Sequence, residues 1–118
     1  MKKYWLLTAA AFLTFFQVIS AQMTLADSLT KVLQHSPPDT NRVIDLTDLA
    51  WEINQSEPEK AITLLNEAFS LAQKLHFAKG EAIAWNGLGV VEEIKNNLPK
   101  ALEYYQKALV IRDRKSVV

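Results

Sequence analysis

The chain has 118 residues, 13 Lys+Arg against 13 Asp+Glu, and no cysteine. That length suits one domain, with little room for a substrate domain beside a cofactor domain. The balanced charge lacks the basic footprint of a nucleic-acid binder, and the missing thiols exclude a disulfide scaffold, a thiolate zinc site and a cysteine nucleophile.

The N-terminus reads as an address. Met1-Lys2-Lys3 is followed by an apolar run from Tyr4 to Phe16 and then by Gln17-Val18-Ile19-Ser20-Ala21. A basic start, an apolar middle and a small final residue make a secretory signal peptide over residues 1–21. The run falls short of the ~20 residues that span a bilayer. Cleavage after Ala21 leaves 11 basic and 13 acidic groups, a net of −2. The alternative is a retained signal-anchor helix, since no charge falls between Tyr4 and Ala26. On either reading the body is exported, to the periplasm or the extracellular face of a bacterial membrane.

The body reads as helices throughout, with no period-two alternation after residue 22. A short helix over Leu25–Gln34 stops before Pro37-Pro38, and a second is expected over Asn41–Asn54. The third, Glu57–Leu75, carries an apolar stripe at Ile62, Leu65, Phe69 and Ala72. Ser56 is its expected cap, with Glu59 reaching back and Pro58 in the first turn. A fourth helix covers Lys79–Lys95, with Lys79-Gly80 expected to make the turn before it. A fifth runs from Leu98 to Arg112, capped by Asn96 or Asn97.

The long helices repeat. Shifted by 40 positions, Lys60–Leu71 lies on Lys100–Ile111; shifted by 39, Leu46, Leu49 and Ala50 lie on Trp85, Leu88 and Gly89. A helix pair recurring at such a period marks a solenoid. The residues Trp85-x2-Leu88-Gly89, then Ala101-x3-Tyr105 and Ala108, resemble the tetratricopeptide repeat (TPR). Leu46-x2-Leu49-Ala50-x2-Ile53, Ala61-x3-Leu65 and Ala68 form a weaker copy. Glu92 stands where the family has tyrosine, and Asp113 where it has proline. The resemblance implies an all-α solenoid of antiparallel helix pairs, with units at about 41–77 and 78–112 behind an N-terminal helix and linker at 22–40. Gly89 or Ala50 then faces Ala61- or Ala101-type residues, where larger side chains would splay the pair. Asp48-Leu49-Ala50-Trp51 ahead of such repeats is similar to exported bacterial proteins, many of which look like sensor portions of histidine kinases or regulators.

The resemblance also implies a concave groove lined by the first helix of each unit. Its positions here are Thr47, Trp51 and Asn54, then Asn86, Val90 and Glu93. Trp51 is the aromatic anchor and Asn86 an amide for a peptide backbone; the competing reading packs Trp51 against the 25–34 helix. No catalytic residue, cofactor or metal site is expected. His35 and His76 lie apart with no second ligand at helix spacing, and His76 suits a helix C-terminus. Glu92-Glu93 reads as a solvated face, because neighbouring helical residues diverge. Gly87-Leu88-Gly89 lies inside a helix rather than opening a phosphate loop. Asn54-Gln55-Ser56 is a sequon whose serine is already assigned to a cap. Trp85 and Tyr104-Tyr105 are expected to pack.

Asp113 to Val118 are expected to break the repeat. They are also what GATCGGAAGAGCGTCGTG encodes, a string resembling a common sequencing adapter, so residues 113–118 are read as an adapter tail beyond which the natural chain continues. Two units without a polar cap leave Leu102, Tyr105 and Leu109 on an open flank, read as a cut edge or a site of self-association. The implied function is a protein- or peptide-binding module, with no nucleic-acid partner, at the N-terminus of a signalling protein. The alternative is a free periplasmic or secreted scaffold. Membrane contact comes only through the signal segment or a downstream span.

Overall fold

The computed structural model describes residues 25–116, and the expected signal peptide at 1–21 lies outside them. Five helices follow in order: α1 (residues 25–35), α2 (Thr40–Ile53), α3 (Pro58–Lys74), α4 (Ala78–Ile94) and α5 (Leu98–Ser116). No strand occurs among the described residues. Each of α2 to α5 packs on its neighbours in sequence, and α4 also touches α2. This is the expected all-α array of helix pairs, α2 with α3 and α4 with α5.

The core follows from the small and branched residues that recur through the pairs. Val43, Leu46, Leu49, Ala50 and Ile53 of α2 are buried with Ala61, Leu65, Ala68 and Ala72 of α3. Ala84, Leu88 and Val91 of α4 join the same cluster. Full burial of each larger side chain contributes roughly 1.5–3 kcal/mol. Alanine on the second helices lets the backbones approach, and both Ala101 and Ala108 of α5 are buried like their counterparts in α3. Gly89 is used differently from the expectation: a Cβ there would meet the Tyr105 ring at 2.6 Å, so the glycine admits an aromatic edge rather than an alanine.

Helix α1 behaves as the second helix of a preceding pair. Ala26, Leu29 and Leu33 stand 39 residues before the buried Leu65, Ala68 and Ala72, and they too pack on the core cluster. The Arg42 guanidinium ties α1 down by donating to the carbonyls of Leu33 and Ser36 and to Ser36 Oγ, while its other nitrogen meets Glu67 Oε1 at 3.1 Å.

Several local expectations are corrected. Ser56 does not cap α3: Glu57 holds the N-cap position with no side-chain bond, and Ser56 Oγ donates back to the Ile53 carbonyl at 3.3 Å. The chain leaves α2 through an extra turn, so Ser56 bonds the helix behind it. Lys79-Gly80 is not the turn between the units either, since both residues lie within α4. The turn falls at His76, whose φ of 53° is left-handed. The His76 N–H donates to the Gln73 carbonyl (3.1 Å) and the Phe77 N–H to that of Ala72 (2.8 Å), the paired bonds of a Schellman motif. Asn96 (φ 60°) and Asn97 repeat those bonds at the end of α4. The expected break at Asp113 is absent, and α5 continues to Ser116. Asp, Arg, Lys and Ser in that stretch neither remove a backbone donor nor favour a left-handed turn as Pro or Gly would.

Candidate peptide-binding groove

Thr47, Trp51 and Asn54 follow one face of α2 and its exit, at i, i+4 and i+7, and Asn86, Val90 and Glu93 repeat that spacing 39 residues on. The two first helices touch, so these rows lie on neighbouring elements. The six side chains differ in what they offer. Thr47 is 7 % exposed, and its hydroxyl donates to the Ile44 carbonyl at 2.8 Å, so its polar group is already used within α2. Trp51 is 58 % exposed, unlike the five buried apolar residues of its helix. Asn54, Asn86 and Val90 are half-buried. Glu93 is exposed, but its carboxylate accepts the Tyr105 hydroxyl at 2.8 Å, which turns it toward α5. Burial and that bond push Tyr105 up to about 12.

Glu92 is a correction. It was expected on a solvated face and is 3 % exposed. Its two oxygens face Asn97 Nδ2 (3.2 Å) and Lys100 Nζ (3.6 Å), so the buried charge is held by an amide and a cation at the head of α5. The position corresponds to buried Ile53 in the first unit, and that match was the signal available in the sequence.

The structure also assembles an aromatic ladder that sequence spacing suggested only as core. Trp85 meets the Phe69 ring at 4.5 Å and stacks on Tyr104 at 5.4 Å, with Lys107 Nζ 4.6 Å over the indole. The Phe69 and Trp85 rings floor a trough of about 530 Å³ between α3 and α5. His35 ends α1 and His76 lies in the α3–α4 turn, and no group of three metal-ligating residues occurs among the described residues. No helix among them is long and apolar enough to cross a membrane.

Stacked antiparallel helix pairs, small residues at the crossings and an exposed aromatic on a first helix define a helical-repeat interaction module. Residues 50–114, more than half the chain, match the tetratricopeptide repeat family, and the protein belongs to it. Repeats of this family mediate protein–protein interaction. The chain matches no curated protein and no solved structure at a significant level.

Proposed function

We propose that the protein is an exported module whose α2–α4 face holds a peptide or protein segment, and that it forms the N-terminal sensor portion of a bacterial signalling protein, a histidine kinase or a regulator. The observation that carries the binding reading is Trp51, a large aromatic left 58 % exposed on a helix that buries five other apolar residues. An aromatic anchor beside the Asn86 amide is the chemistry by which a groove holds a peptide backbone and one apolar side chain. The Tyr105 bond leaves Glu93 as a rim group. Export is supported by the basic, apolar and small-residue order of residues 1–21. The signalling role is supported by the similarity around Asp48–Trp51 alone.

Trp51→Ala tests the groove. Affinity for a partner recovered by pull-down should fall by about 1–2 kcal/mol or more with thermal stability unchanged. Lost stability at unchanged affinity would make Trp51 a packing residue. For export, N-terminal sequencing of protein from the cell envelope should begin at Gln22, and cytosolic protein retaining Met1 would overturn that step. For signalling, genomic DNA read past the codon for Arg112 should encode further repeats and then an apolar span. A frame closing on a polar capping helix would favour the free scaffold.

A further inference from the structure

Carboxylates flank Trp51 on its own helix. One turn before it lies Asp48 and directly after it Glu52, both exposed, with half-buried Asp45 a further turn back. Residues three and four apart share a helix face, so Asp45, Asp48 and Glu52 form one row beside the indole. Glu93 adds a fourth carboxylate at the α4 rim of the same face. The one cation of α2 is Arg42, which already donates to α1 and to Glu67. The one lysine of α4, Lys79, lies in its first turn and matches Thr40, eleven residues before Trp51.

These charges differ from the carboxylates elsewhere in the chain. Glu59 and Glu67 of α3, Glu92 of α4 and Glu103 of α5 each meet a Lys or Arg nitrogen at 2.7–3.6 Å. Among the described residues, Asp45, Asp48 and Glu52 meet none. Their placement also works against α2, because like charges a turn apart repel and Glu52 lies at the negative end of the helix dipole. Nor does the repeat require charge there. One unit on, Asp48 and Glu52 become Gly87 and Val91, both buried, with Gly87 so close to Leu65 that a Cβ would sit 2.6 Å from its Cδ2.

The second unit supplies a template. There Lys107 Nζ lies 4.6 Å over the Trp85 ring and 3.0 Å from Glu103 Oε1, an ammonium held by an indole face and a carboxylate. Trp51 and its carboxylates present the same pair of groups, and among the described residues Trp51 meets neither a ring nor a cation. We propose, resting on the reading of α2–α4 as a binding face, that the segment held there is cationic. A Lys or Arg side chain of the bound protein lies along the Trp51 indole with its head between Asp48 and Glu52. The methylene stem gives the indole its apolar contact, and the charged head stays at the carboxylates. Asp45 to Glu52 covers seven residues, about 10 Å of helix, so a second cation three residues along an extended segment reaches the far end of the row. The same row rejects acidic segments.

Three fluorescein-labelled synthetic peptides of equal length carry Arg, Gln or Glu at alternate positions of a Gly-Ser host. Each is titrated with the full 118-residue protein at low salt and read by anisotropy. The Arg peptide should saturate, and the Gln and Glu peptides should bind at least tenfold more weakly. Asp48→Asn/Glu52→Gln should weaken the Arg peptide at least tenfold, and Trp51→Ala at least fivefold. Both carboxylates are exposed and their amides nearly isosteric, so the double variant should keep its far-UV circular dichroism. Asp48→Asn alone, with a smaller loss, supports the same reading should the double variant unfold. Glu81→Gln/Glu103→Gln removes equal charge at the trough between α3 and α5 and should leave the affinity within twofold. No saturable binding of the Arg peptide, or equal loss from the two double variants, overturns the proposal. So does a protein dimer that Asp48→Asn/Glu52→Gln dissociates, which gives the row to a second copy. If the Gln peptide binds as well as the Arg peptide and Trp51→Ala alone weakens both, the cationic segment falls while the groove stands. A pulled-down partner whose affinity ignores Trp51→Ala brings down the groove itself.

Discussion

The left-handed residue between the units sets up the sharpest stability experiment. His76 has φ 53°, where a side chain crowds the following carbonyl at a cost of about 1–2 kcal/mol and glycine has no such crowding. The side chain is exposed, and both Schellman bonds at this turn are backbone bonds, so His76→Gly removes neither. Glycine also gains freedom in the unfolded chain, offsetting about 0.4–1 kcal/mol. The net expectation is a stabilisation of about 0.5–1 kcal/mol. At a urea m-value of about 1–3 kcal/mol per M, the midpoint rises by about 0.2–1 M. Asn96 occupies the same place at φ 60°, but the short polar side chain of asparagine can hydrogen-bond locally in this conformation, so Asn96→Gly should gain less. Equilibrium urea unfolding followed at 222 nm compares wild type, His76→Gly, Asn96→Gly and His76→Ala, the last keeping the crowding and gaining nothing. An unchanged or lowered midpoint for His76→Gly would overturn the assignment of strain to this turn.

Glu92→Ile, which places the first unit's Ile53 at the second unit's buried position, should be neutral or stabilising by up to about 2 kcal/mol, because apolar packing commonly matches a buried ion pair; a midpoint loss in urea contradicts this. Tyr105 should ionise at about 12 in an absorbance titration at 295 nm. Its folded value is raised above the unfolded one of about 10, so its contribution is complete below pH ~10 and is lost as pH climbs toward 12, a loss that Tyr105→Phe should abolish. Arg42→Met should speed amide hydrogen exchange across residues 25–35 while leaving α4 protected, since its guanidinium fastens α1. Equal acceleration in α4 would instead make Arg42 a determinant of the whole array.

Periodicity served well wherever one face of a helix is covered. The bounds of α2, α3 and α4 lie within a residue of expectation, because their apolar stripes are long and their turns short. The offset of 39 also placed Leu49 with Leu88, and both are buried. Chain geometry between helices was less readable. Ser56 has the right type for a cap but sits in a turn that aims it backward, and histidine, though enriched at positive φ, adopts it too seldom to mark the turn by itself. Burial of Glu92 contradicts its chemistry as a lone residue and makes sense only beside Asn97 and Lys100, which the next helix brings up. For the groove, residue type could place Trp51 on a face but could not divide solvent from packing. That depended on where α1 lies, and α1 meets the core through Ala26, Leu29 and Leu33.

All three glycines of the chain lie in α4, the helix packed on α2, α3 and α5. Each costs about 1 kcal/mol in helix propensity relative to alanine, so α4 is weak by its own sequence and depends on its neighbours. In a linear array, stability divides into what each unit holds alone and what neighbouring units lend one another. Here the connecting element is weak alone and strong in company, so neither pair should melt far ahead of the other. Close approach at Gly80, Gly87 and Gly89 thereby gives the two units a shared unfolding transition.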